Sequence, residues 1–220
     1  MMQLKRRSLK GTVDSGPALP RSATSRPITP ALLVGQIGSF SALIAFGTIL
    51  SNVIFGVVLP PPLYEITAAP AFYLAIAVLY PRRISFWSTA IGSGVGEAVN
   101  LFIFGQGAAF ALTYIPGIII ARTPETAIVH RFREKTMRWI AASMVIATIY
   151  ESLAFFLIDW PVYSYTAFYC TGDPCSVSGL AGGFWLASLD LLTIVDIVWI
   201  PVAIALILAV RRAYNTKYFG

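Results

Sequence analysis

Three carboxylates stand inside apolar runs of this sequence: Glu97 in GSGVGEAVNLFIFG, Glu151 in IATIYESLAFFLI and Asp190 in FWLASLDLLTIVD. Asn100 follows Glu97 by about one helical turn, and Asp196 shares the run of Asp190. A charged side chain at the centre of a bilayer costs about 2.5–3.5 kcal/mol on insertion scales. Such an acid either keeps its proton, lines a polar cavity, or meets a cation from outside the protein. Aromatic residues stand close by in the sequence: Tyr64, Phe102, Tyr114, Tyr150 and Trp185. Carboxylates with aromatic faces suit an organic cation, through charge pairing and cation–π attraction. The candidate binding set is therefore Glu97, Glu151, Asp190, Asn100, Tyr150 and Trp185. Glu65, in the loop LPPPLYEITAAP, would close the site from above.

The elements that must carry these residues follow from composition. The chain has 220 residues, 57% hydrophobic and 12% charged, with a mean hydropathy of +0.74. Soluble domains carry roughly 25% charged residues, so an all-α polytopic membrane protein of one domain is expected. Six apolar segments cover roughly 31–58, 67–80, 84–104, 108–121, 139–158 and 184–210. A crossing helix needs about 20 residues, which makes the second and fourth segments short.

Charge orders the segments. All 16 Lys and Arg fall in the N-terminal tail, at Arg82–Arg83, between Arg122 and Arg138, and in the C-terminal tail. Six crossings place all four groups on one side, which the positive-inside rule makes cytoplasmic. Residues 1–30 then form a disordered basic cytoplasmic tail, 31–210 the six-helix transmembrane domain, and 211–220 a second basic cytoplasmic tail. The first tail also has the Arg- and Ser-rich composition of a transit peptide. The expected location is the cell membrane, multi-pass. No Lys, Arg or His falls within these six segments, so the acids have no expected internal partner. At 1.5 Å per residue, Glu97, Glu151 and Asp190 would each lie about 9–10 Å below the outer end of their helices.

Other patterns carry less chemistry. Cys170 and Cys175 flank the turn dipeptide Asp173-Pro174; a disulfide, two free thiols, or zinc with further ligands are the readings left open. The one histidine, His130, lies far from them in sequence, so no metal and no cofactor is expected. Gly92, Gly94 and Gly96 have the spacing GxGxG and open no βαβ unit, which excludes a dinucleotide loop. They suit close helix packing beside Glu97. On the first segment Gly38 and Ala42, and Ser41 and Ala45, stand four apart, a small-residue face that admits another helix.

The layout of residues 31–210 resembles the substrate-binding S component of an energy-coupling factor (ECF) vitamin transporter. The resemblance rests on six uneven spans, the small-residue face Gly38, Ala42, Ser41 and Ala45, and LPPPLYEITAAP before a short second span. It also rests on the arrangement from PRRISFWSTAIGSGVGEAVNLFIFG to YIPGIIIAR. It implies capture of a vitamin or precursor near the outer surface. It further implies docking through the first helix onto a transmembrane coupling protein driven by two cytoplasmic ATPases. Glu65 and Glu97 look similar to the acids of the thiamine and hydroxymethylpyrimidine branch; Glu151 and Asp190 depart from it. The partners expected are thus a small-molecule substrate, these subunits and the lipid bilayer, with no nucleic acid.

Enzyme readings find little support. No GxGD motif accompanies the intramembrane aspartates, and no segment holds a histidine for zinc, haem or copper chemistry. An accessory subunit of a larger membrane complex, its acids meeting a partner's bases, is the main alternative. A self-contained carrier would be favoured by inverted repeats, and the two halves show no clear self-similarity.

Overall fold

A computed structural model describes residues 29–55, 67–103, 108–166 and 178–215. Every regular element among them is helical: α1 Pro30–Phe55, α2 Ala69–Leu79, α3 Arg82–Ile103, α4 Ala108–His130, α5 Met137–Tyr165, α6 Gly179–Asp190 and α7 Ile200–Tyr214. A 3₁₀ segment, Leu191–Trp199, joins α6 to α7, so that Gly179–Tyr214 forms one 36-residue rod. The bundle therefore has six helical rods among the described residues.

Its surface is apolar and its interior holds many polar side chains beside the apolar ones, unlike a soluble domain. On α3, Ser85, Ser88, Thr89, Ser93, Glu97 and Asn100 are buried, whereas Trp87, Ile91 and Val95 are exposed. A helix so arranged would be unstable in water and is stable in lipid. Pro30–Ser51, Met137–Tyr165 and Gly179–Tyr214 are each long and apolar enough to cross a membrane. The protein is thus built as a membrane protein.

The small helix α2 lies inside. Ten of its eleven residues are buried, Phe72 being the exception, and it packs on α1, α3, α4 and α7. Its ends are tied to opposite partners. The Ala68 amide at its start donates to Ser51 Oγ of α1 at 2.8 Å. At its finish His130 Nδ1 lies 3.0 Å from Ala77 O, and Arg133 Nη1 donates to Tyr80 O at 3.0 Å. Those two carbonyls belong to the last turn, where a helix has no acceptor partners of its own.

α1 and α3 approach through glycine. A Cβ at Gly92 would come within 2.7 Å of Ser41 O, and one at Gly96 within 2.9 Å of Thr48 Cβ. Ser41 Oγ also donates to Ser88 O at 3.3 Å. Ser41 and Ala45 are thus spent on this internal contact. Gly38 and Ala42 face outward, and nothing among the described residues lies within 4 Å of a Cβ built on Gly38.

One expectation is corrected here. The fourth helix does not stop at residue 121 but runs to His130, through Pro116 and Pro124. Arg122 is consequently not at a cytoplasmic edge: it is fully buried in mid-helix.

Candidate functional site

The core falls into two apolar clusters. One surrounds α2 with Val129, Ile140, Met144, Ile200 and Ile207. The other joins Leu101, Tyr114, Ile118, Phe155, Tyr163 and Ala187. Positions between them on α4, α5 and the last rod carry Arg122, Glu125, Glu151 and Asp196, all fully buried. A charged layer is thus sandwiched between two greasy ones.

Arg122 Nε donates to Glu151 Oε1 at 3.0 Å. The Arg122 guanidinium also stands 5.5 Å over the Phe155 ring, a cation–π placement worth about 2 kcal/mol when desolvated. The Tyr73 hydroxyl of α2 lies 2.9 Å from Glu125 Oε1 and 3.4 Å from Glu151 Oε2. Its single proton serves the nearer oxygen. Four side chains from α2, α4 and α5 therefore form one connected network. The expectation that no base pairs with the interior acids is overturned by this ion pair. The error came from ending α4 at its first charge.

A second group of acids has no such partner. Glu97 lies within the electrostatic reach of Arg122 and beside Asn100. Even so, neither Glu97 oxygen nor the Asn100 amide makes a hydrogen bond of normal geometry among the described residues. Asp190 sits beside Asp159 and Tyr163, and Asp159 also feels Glu97. None of the four aspartate oxygens accepts a hydrogen bond of normal geometry there. Gly117 makes room: a Cβ on it would meet Ile158 at 2.8 Å and Asp159 Oδ1 at 3.7 Å. Buried polar groups are satisfied in more than about 90% of cases, so four orphaned side chains in one region call for something to fill their valences.

The 3₁₀ winding explains how Asp190 and Asp196 both face inward. At three residues per turn, Asp190, Thr193 and Asp196 align on one face, and all three are buried. An α-helix would place Asp196 about 120° around the axis from Asp190. Thr193 Oγ1 stands 2.7 Å from Asp190 O and 3.0 Å from Ser152 Oγ, which fixes the segment against α5.

Of the residues singled out from sequence, Glu97, Asn100, Glu151 and Asp190 all point into the bundle. They do not form one cluster: Glu151 belongs to the Arg122 network, and Asp190 to the Asp159 pair. Tyr150 is half-buried and within reach of Glu125. Trp185 is 69% exposed and is not brought to the acids. Glu65, Tyr64, Cys170, Cys175 and the tail 1–28 lie outside the described residues, as does the Phe102 side chain.

Sequence reasoning missed Arg122, Glu125 and Asp159 as interior groups. For α4 a signal was present: Ile118, Arg122, Glu125 and Val129 follow helical spacing, and Ala127–Val129 resume the apolar run. Among the described residues the interior holds six buried acids and one buried base. Such an excess can exist only with protons or cations to balance it. Comparison of the chain with protein-family models, with curated proteins and with solved structures finds no match in any of the three.

Proposed function

We propose that the chain is a membrane subunit that captures a small organic cation, of the thiamine type, for uptake by partner proteins. The observation that carries this reading is the set of orphaned polar atoms on Glu97 and Asn100, buried next to the Asp159–Asp190 pair. Arg122 pairs directly with Glu151 and not with Glu97, so Glu97 is balanced either by a proton or by a cation, and the proposal is that the cation is the ligand. A cationic ligand with amine donors would supply both charge and hydrogen bonds.

The reading takes the bundle as six crossings with the basic ends cytoplasmic. On that arrangement the cluster lies towards the outer side. In an ECF-type assembly the chain would be the substrate-binding subunit, held by a transmembrane coupling protein and two cytoplasmic ATPases. The outward small-residue face at Gly38 and Ala42 fits a partner helix, because only small residues let two backbones approach closely in lipid. That face also serves the alternative, an accessory subunit of a larger complex, and ligand titration separates the two.

The test is binding of thiamine and of hydroxymethylpyrimidine to the purified chain, followed by intrinsic tryptophan fluorescence. Mass spectrometry of any co-purified small molecule accompanies it. Glu97→Gln should weaken binding about tenfold or more, the loss of one charge-assisted hydrogen bond, with an unchanged melting profile. Equal affinity in variant and parent would remove Glu97 from the site. Absence of any co-purified or added cation would favour the accessory role.

A further inference from the structure

We propose that the end of the bundle where α3 begins and α4 ends carries a binding site for a phosphate headgroup, that of an anionic phospholipid. A cavity of about 440 Å³ lies there, lined by Arg82, Ala127, Ile128, His130 and Arg131. Its size is within the range of small-molecule pockets, roughly 300–1,000 Å³. Arg82 opens α3 and Arg131 follows α4, so two separate elements deliver guanidinium groups to one hollow. Neither Arg82 nor Arg131 has a side-chain ion pair among the described residues.

The third polar wall is pre-set. His130 Nδ1 is 3.0 Å from the Ala77 carbonyl, and a carbonyl only accepts, so Nδ1 carries a hydrogen. Nε2 is then an acceptor while the ring is neutral and becomes a donor to a phosphate oxygen only in the imidazolium form. Guanidinium forks match phosphate oxygens in pairs, and the surroundings hold no strong competitor. Arg82, Arg83, Arg131, Arg133, Lys135 and Arg138 gather at this end against the single acid Glu134. Arg133 is already engaged with Tyr80 O.

Position argues for a lipid as the source. Trp87, five residues beyond Arg82 on α3, is 53% exposed, and Trp139, at the start of α5, is 60% exposed. Outward tryptophans mark the headgroup level of a bilayer. On the same α4–α5 turn a second hollow of about 290 Å³ is lined by Phe132, Lys135 and Trp139. A free anion has no use for such a mixed wall; an amphiphile does. Basic pockets between helices on the positive side are the places where anionic headgroups are held.

The test reconstitutes the full chain in nanodiscs of phosphatidylcholine, with or without phosphatidylglycerol. Lipids retained after detergent extraction are counted by native mass spectrometry, and thermal stability is read in parallel. The parent should keep a phosphatidylglycerol and melt higher in its presence. The double variant Arg82→Gln/Arg131→Gln should lose about tenfold or more in retention, as expected for a lost charge-assisted contact. Arg83→Gln/Arg138→Gln removes equal charge outside the cavity and should leave retention unchanged. Equal loss in both double variants would mean diffuse surface attraction and would overturn the site. A separate arm adds inorganic phosphate to the phosphatidylcholine sample. Stabilisation there that depends on Arg82 and Arg131, without lipid retention, would assign the pocket to a soluble phosphate. No response to either anion, with a partner protein's acidic segment protecting these arginines instead, would also overturn it.

Discussion

Removing the Arg122 guanidinium would leave Glu151 and its neighbours Glu125 and Asp196 without a base among the described residues. Breaking a buried pair from one side costs about 3–5 kcal/mol, because the remaining charge stays desolvated. Arg122→Gln should therefore lower stability by about that amount, read from melting in detergent. The double variant Arg122→Gln/Glu151→Gln should lose clearly less than the two single losses summed, since each single variant strands the other partner. Simple additivity would mean that the 3.0 Å contact contributes nothing. This centre was only half legible in the sequence. Glu151 announced itself as an acid in an apolar run. Arg122 did not, because a base after GIIIA reads as the end of a span. What tells against that reading is tertiary: an arginine can stay inside a helix bundle when a carboxylate and an aromatic ring wait for it on the next helix. Asp159 was hidden for the same reason, as an acid two residues from a proline in the last turns of α5.

The helices themselves were easier to foresee than their winding. Lipid outside and polar groups inside leave the apolar runs long and visible, and five of the six rods start within a few residues of the expected positions. The 3₁₀ segment Leu191–Trp199 was not visible. In a helix that is apolar nearly all round, periodicity does not separate three residues per turn from 3.6. Only the α3 side of the α1–α3 contact is legible, as close packing at Gly92 and Gly96; Ser41 and Ala45 read as a docking face for another protein and instead meet these glycines. The contact also makes a sharp distinction. A Cβ at Gly92 meets Ser41 O and Ile44 Cβ at 2.7 and 2.8 Å, so the two backbones must part. Gly92→Ala should destabilise by about 1–3 kcal/mol, the usual size of overpacking. Gly38→Ala on α1 meets nothing within 4 Å, so it should be neutral or stabilise slightly through the better helix propensity of alanine. Parallel melts of the two variants check the contrast. A loss at Gly38 equal to that at Gly92 would mean that the outward face of α1 is covered within the isolated chain.

At the scale of the molecule, the proposed six crossings depend on α2. Eleven helical residues extend about 16 Å, roughly half of the hydrocarbon thickness of about 30 Å. A lipid-exposed helix that short would thin the bilayer around it. α2 escapes this because its neighbours surround it: ten residues are buried, and its ends are satisfied by Ser51 on one side and by His130 and Arg133 on the other. A buried helix need not match the lipid, so it can carry the chain across at a length that would fail alone. If the chain crosses six times, as proposed, Arg83 and Thr136 are expected on one face and Cys170 and Cys175 on the other. Each position can be tested with a membrane-impermeant maleimide in intact cells. After mild reduction the native cysteines should label from outside. With both replaced by serine, Arg83→Cys and Thr136→Cys should label only once the membrane is permeabilised. Labelling of Arg83→Cys in intact cells, with Thr136→Cys still protected, would mean that α2 turns back without crossing. The basic residues at the start of α3 would then lie outside, and the outward-opening cation site would lose the orientation on which it depends.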